Sequence, residues 1–282
     1  MLVIIGLILV LVAVLGSYVM MGGKLGVLWQ PFEFVIIFGA GAGGMVIGNP
    51  IGVLKGVPKA LIAGLKGPTF KKDHYIELLA MLFELFKLAK QKGPVALEPH
   101  VENPDSSDIF SKYPKISHDH HVMDFIRDYL RMITLGTDKA HEMETIMDVE
   151  IEAHHKSEHA LVSALSAMAD SFPAVGIVAA VLGVIKTMGA MDQPPEVLGK
   201  LIGAALVGTF AGIFMCYGFF GPLATTAGKA LEADARIYDI IKTAILAYLQ
   251  GYAPAIAVEM ARKAVDHDMR PSFYDLEALL AK

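Results

Sequence analysis

Residues 170–189 read DSFPAVGIVAAVLGVIKTMG, and residues 201–226 read LIGAALVGTFAGIFMCYGFFGPLATT. Each is an apolar run almost free of charge, long enough to cross a bilayer core as a helix of roughly 20 residues. A short connector joins them, so they run antiparallel. Each carries a proline at one edge, Pro173 just inside the start of the first and Pro222 near the end of the second. An antiparallel pair puts these prolines at about the same depth, near one membrane face. Paired prolines at one end of a helix pair point to a hinge or gate. They also have plainer explanations, because proline in a first helical turn is an ordinary start signal and Pro222 can simply end its span.

Two more spans lie upstream, at about 2–21 and 34–50, and the four segments at about 2–21, 34–50, 171–191 and 201–221 predict an all-α membrane protein. The composition agrees: 54% of the 282 residues are hydrophobic and 19% are charged, against about 25% charged in a soluble domain. The first span has no basic segment before it and an apolar run longer than a signal peptide's, so it reads as a retained span. The net charge of −5 gives no footing for nucleic-acid binding. Cys216, the only cysteine, falls inside a span, which excludes an intrachain disulfide and makes it a small packing residue.

Basic residues near the span ends set the orientation. The connectors 22–33 and 192–200 offer Lys24 and Lys200 alone. Lys55, Lys59, Lys66, Lys71 and Lys72 follow the second span, and Lys229, Arg236 and Lys242 follow the fourth. The segments 51–170 and 222–282 are therefore expected in the cytoplasm, with Trp29 as an interfacial anchor on the outer side. Both prolines then lie at the cytoplasmic end.

The cytoplasmic part reads as helical. Ile76, Leu79, Leu82, Phe83 and Phe86 recur at helical spacing, and Gly93-Pro94 stops that helix. Residues 97–116 are broken by prolines and turn formers into a loop with short helices. HVMDFIRDYLRMITLG is a second amphipathic helix ending at Gly136, and a charge-rich helical stretch from Asp138 has no breaker before Pro173. Two more helices flank GYAP in the tail. This divides the chain into 1–50 with two spans, a helical domain over 51–170, the span pair over 171–222, and a helical tail over 223–282.

Glycines at GxxxG spacing (Gly39/Gly43, Gly44/Gly48, Gly199/Gly203, Gly208/Gly212) fit either packing within one bundle or contact between subunits. No span has an Asp or Glu at its centre, since Glu33 and Asp170 read as boundary residues and Lys186 lies toward the outer end. Thr187, Thr209 and Tyr217 are the polar groups inside. A hydroxyl helps hydrate an ion but carries no proton at neutral pH, so a chain that moves protons needs a carboxylate from another polypeptide. Thr209 has a bland alternative, a bond back to its own helix. The histidines at 118, 120, 121, 154, 155 and 159 read as solvated helix faces, no phosphate loop or nucleophilic triad is present, and no enzymatic activity or cofactor is expected. Lys87, Lys90, Lys92 and Glu98 form an exposed charged run, which is either a solvated face or a docking surface registered by charge.

The order of MLVIIG, GGKLGVLWQPFEFVIIFGAGAGG, VENP, IFSKYPKI, DFIRDYLRMI, DSFPAVGIVAAVLGV, VGTFAGI, YGFFGPLA, GYAPAIAVE and RPSF over the whole chain resembles the MotA family of bacterial flagellar stator subunits. The resemblance implies a homo-oligomeric ring of five chains in the bacterial inner membrane around MotB. That single-span, peptidoglycan-binding partner supplies the missing aspartate. It implies that Pro173 and Pro222 couple ion passage to torque, with Thr209 near the partner's aspartate and Tyr217 on the same path. Lys90 and Glu98, flanked by Lys87 and Lys92, would engage FliG of the rotor; the family usually has arginine where this chain has Lys90, which keeps the charge and loses the planar fork. Sodium-type relatives carry a threonine seven residues after the first proline; Ala180 stands there and has no oxygen, which favours H+. An energiser of the ExbB/TolQ type is the alternative, and those chains typically have three spans. A transporter whose own chain forms the whole pathway is a third reading, opposed by the missing intramembrane carboxylate.

Overall fold

The computed structural model describes residues 2–280, and among these the chain is helical with no strand. Helix α1 (Leu2–Met20) contains a wider π-type turn at Val12–Gly16. Helix α2 (Pro31–Gly48) starts on Pro31, whose missing N–H costs nothing in a first turn. Helix α3 (Ile51–Lys66) was not foreseen as a separate element. It is amphipathic, burying Val57, Ala60 and Gly64 and exposing Lys55, Lys59 and Lys66, and it tolerates Pro58 in its interior. Helix α4 (Lys72–Lys92) ends where Gly93 takes φ +86°, a conformation open to glycine at little cost. Short helical turns fill 94–117, as the prolines there predict.

Helix α5 (His120–Thr134) is capped by the Asp119 carboxylate, which accepts the Val122 N–H at 3.1 Å. Helix α6 (Ala140–Met188) runs without interruption through Pro173. Helix α7 (Pro195–Leu249) likewise continues past Pro222, with a π-type turn at Cys216–Phe220 just before it. Helices α8 (Pro254–Ala264) and α9 (Phe273–Leu280) complete the tail. Four of these helices, α1, α6, α7 and the stretch Leu25–Gly48 that includes α2, are long and apolar enough to cross a membrane.

The chain forms two compact units, Met1–Gly67 with Ser157–Leu231, and Pro68–Lys156 with Glu232–Lys282. The second has one core of large side chains. Leu78, Leu79, Leu82, Leu85 and Phe86 of α4 pack with Ile126, Tyr129 and Leu130 of α5, Met143 and Met147 of α6, and Ile237, Ile241 and Ile245 of α7. Phe86 stacks on Tyr248 with ring centroids 4.8 Å apart.

The first unit holds together differently. Its buried clusters are small: Val57, Ala164, Leu165, Ala224 and Ala227 in one, and Ile37, Phe172, Ala211 and Cys216 in the other. Phe172 is its aromatic centre, meeting Phe38 at 5.3 Å and Phe220 at 5.2 Å. Between these contacts α6 and α7 touch through small residues. A Cβ on Gly176 would lie 2.6 Å from the Gly208 carbonyl oxygen, one on Gly183 would lie 2.6 Å from the Ala205 Cβ, and one on Gly212 would run into the Phe172 carbonyl.

Candidate functional site

Two of the plain explanations for the prolines fail on this geometry. Pro173 is not in a first turn, because its helix begins at Ala140. Pro222 ends nothing, because α7 continues to Leu249. Each ring withholds an N–H from the carbonyl four residues earlier, that of Ala169 for Pro173, and clashes with it unless the helix adjusts. At Pro222 the adjustment is explicit: the Gly221 N–H bonds the Cys216 carbonyl five residues back. A Cβ on Gly221 would sit 2.8 Å from that oxygen, so glycine is what lets the bonding slip from four residues to five. π-type turns of this kind concentrate at working positions in helices. Near Pro173 the Ser171 hydroxyl donates to the Met168 carbonyl at 2.6 Å.

The equal-depth expectation also needs correction. Phe172 and Gly176 face Gly212 and Gly208, while Ala164 and Leu165 cluster with Ala224 and Ala227. On that register Pro222 lies across from the residues near 166, about two turns beyond Pro173, or roughly 10 Å along the helix axis. The two prolines are stacked along the seam instead of facing each other. The reason is tertiary: a glycine-lined seam lets α6 and α7 slide to the offset at which backbones approach most closely, and a 20-residue apolar run does not encode that offset.

Ala180 and Thr209 lie at the same level of the seam. A Cβ on Gly208, the neighbour of Thr209, would lie 3.0 Å from the Ala180 nitrogen. Both residues are half-buried. The hydroxyls of Thr187, Thr225, Thr226 and Thr243 all donate to carbonyls of their own helices. Among the described residues the Thr209 hydroxyl has no such bond, so it remains available to something outside the chain. Tyr217 lies in the π-type turn and is 72% exposed.

Glu33 was read as a boundary residue, and its backbone is in the first turn of α2. Its carboxylate nevertheless turns into the α6–α7 seam, with Oε2 buried and, among the described residues, without a hydrogen-bond partner. The sequence signal was available: a lone acid followed by a long uncharged run, with glycines on the two helices it must pack against.

The glycine pairs divide. Gly208 and Gly212 are used within the chain, whereas a Cβ on Gly39, Gly43, Gly44, Gly48, Gly199 or Gly203 would meet nothing within 4 Å.

In the second unit Lys87, Lys90, Lys92 and Glu98 are all exposed around the C-terminal end of α4 and the turn that follows. No ion pair forms from any of them among the described residues. Lys87 Nζ lies 5.7 Å from the Phe83 ring centroid. The groove beside them, about 320 Å³, is lined by Phe83, Glu84, Lys87 and Lys112. There Lys112 is neutralised by Glu84 at 2.8 Å. The Glu84 carboxylate also accepts from the Tyr113 hydroxyl at 3.0 Å and, with burial the larger cause, pushes that phenol well above its ordinary value.

The model described as Motility protein A N-terminal matches residues 4–93, and that of the MotA/TolQ/ExbB proton channel family matches residues 117–239. Motility protein A of Escherichia coli is 44% identical over 277 residues, covering 98% of this chain and 94% of that protein. The chain belongs to the MotA family. The N-terminal match is what separates it from the ExbB/TolQ alternative, since the second model is common to all three groups. A second relative, the chemotaxis protein LafT of Vibrio parahaemolyticus, is 39% identical over 98% of this chain and 97% of its own. The fold is that of a solved MotAB structure from C. jejuni, with TM-score 0.78 at 20% identity over 96% of this chain and 98% of that one. The flagellar MotAB stator complex of Bacillus subtilis aligns with TM-score 0.70 at 27% identity, over 91% and 92%.

Proposed function

We propose that this MotA-family chain is a stator subunit of the bacterial flagellar motor that, with a MotB partner, conducts protons and turns their flow into torque on the rotor protein FliG. Five copies surround the partner in the inner membrane, with 51–170 and 223–282 cytoplasmic and 171–222 forming the ion path. The open glycine rows of α2 and of the start of α7 suit close contact between copies.

The observation that carries the reading is the Ala180–Thr209 level of the α6–α7 seam, with Pro173 and Pro222 both on one side of it. A hydroxyl without an internal bond is available to the partner's aspartate, and the Ala180 side chain offers no oxygen to a sodium ion, which wants several. One charge falling through 100 mV releases about 2.3 kcal/mol. Neutralising the aspartate removes its demand for polar contact, and the partner helix re-seats against Thr209. A helix that lacks a backbone hydrogen bond at Pro173, and one with a π-type turn at Cys216–Phe220 before Pro222, yield more readily than a fully bonded helix, so the re-seating moves whole helices. Lys87, Lys90, Lys92 and Glu98, unpaired within their own unit, carry the motion to the rotor by charge.

Replacing Pro173 with alanine restores a backbone hydrogen bond and removes the yielding point. The Pro173→Ala chain is expected to accumulate in membranes and to hold its partner, and cells relying on it to lose nearly all swimming. Normal swimming speed in that variant would sink the coupling role.

A further inference from the structure

Glu33 is a titratable group that the mechanism above leaves unused. Its Oε2 lies 2.7 Å from where a Cβ on Gly208 would stand, and its Oε1 lies 3.6 Å from the corresponding point on Gly183. The Gly208 point is itself 3.0 Å from the Ala180 nitrogen. The carboxylate therefore reaches the Ala180–Thr209 level from the side of α2. It has room only because position 208 carries no side chain.

Among the described residues no group satisfies its Oε2, which is buried without a hydrogen-bond partner. On α6 the charged group within electrostatic reach is Lys186, and the residues of α7 that face the carboxylate, Ala205 and Gly208, are uncharged. Burying a polar group without a compensating bond carries a free-energy cost. A residue kept only for packing would not carry that cost, and ionisable side chains inside membrane spans generally mark ion routes.

We propose that Glu33 is a proton-relay carboxylate, so that the path holds two acids in series, one on this chain and one on the partner's span. The inference rests on the stator reading. A proton from water on the outer side binds Glu33 and leaves a neutral carboxylic acid in the seam. It then passes to the partner's carboxylate, and Glu33 returns to the anion. No other bond forms or breaks, and one positive charge has moved inward.

The test uses the full chain with its partner subunit in a motile host deleted for its own stator. Motor speed under load is measured as external pH varies between about 5.5 and 8, with membrane level and co-purification of the partner as assembly controls. An assembled Glu33→Gln pair is expected to turn the motor about tenfold more slowly or worse, the scale of a lost proton-transfer group. Glu33→Asp is expected to recover much of the speed with a displaced external-pH profile. Wild-type speed in Glu33→Gln overturns the relay and leaves the stator reading standing. A slower motor that keeps the wild-type pH profile marks a packing role and also overturns it. Should Glu33→Gln fail to assemble, the Glu33→Asp profile decides, a displaced one supporting the relay and an unchanged one ending it. A wild-type pair that assembles and turns no motor removes the stator reading and the relay together.

Discussion

The two units of this chain are built on opposite rules. The Pro68–Lys156 and Glu232–Lys282 unit buries large side chains in one core, with Tyr129, Phe86, Leu82 and Leu85 almost inaccessible. The unit that holds the spans is joined mainly by glycine and alanine, around clusters of four or five buried residues. One is stabilised by apolar area removed from water, the other by close backbone approach, the available route where lipid is as apolar as leucine. The difference bears on function. A core of interlocked large side chains resists sliding, while a smooth seam with two proline breaks permits small axial shifts. In the proposed mechanism the part that moves has little side-chain interlock, and the part that transmits force has a great deal.

The contrast breaks most sharply at Phe86. Truncating this fully buried ring, stacked on Tyr248, leaves a cavity, and Phe86→Ala is expected to cost about 3–5 kcal/mol. Thermal unfolding of the purified chain should show a large fall in midpoint, with motility lost alongside. An unchanged midpoint would mean that the second unit is not the rigid one.

In the first unit the same logic runs in reverse, and adding one methyl does the harm. A Cβ on Gly212 would run into the Phe172 carbonyl. Gly212→Ala is expected to cost about 1–3 kcal/mol through overpacking. It should abolish swimming out of proportion to that cost, because it fixes the seam. If swimming falls only as far as protein level falls, the seam is static packing.

The smallest effect concerns pH. The His74 imidazole accepts the Lys71 N–H at 3.3 Å, closing the first turn of α4. Burial, the largest cause, with Lys115 also acting, holds His74 below its ordinary value. The unfolded chain therefore takes up this proton first as pH drops below about 6.5, so the contribution is full above that value and fades beneath it. A fall of at most about 2–4 °C in the unfolding midpoint between neutral and mildly acid pH is expected. His74→Gln should flatten it, and an identical pH slope in that variant would remove the assignment.

Much of this arrangement was legible without coordinates. Uncharged runs of about 20 residues leave no choice but helices in a bilayer, since every backbone group must be satisfied within the segment. The helical spacing of Leu79, Leu82 and Phe86 likewise marked the core face of α4. Helix α3 escaped notice because its lysines and glycines mask a short apolar stripe. The offset of Pro222 from Pro173 and the inward turn of Glu33 were invisible for a shared reason: both depend on which faces of two helices meet, and a row of glycines is equally compatible with several registers.

Sequence alone settled that this chain crosses the membrane through helices, carries proline near two of them, and gathers lysines at one helix end, because hydropathy, ring chemistry and charge belong to residues themselves. Tertiary structure alone settled that the two prolines are stacked along one seam, that the Thr209 hydroxyl is left without an internal bond, and that Glu33 reaches the level of Ala180. Those are properties of the packing register, chosen by backbone contact at Gly176, Gly208 and Gly212 after the helices already exist.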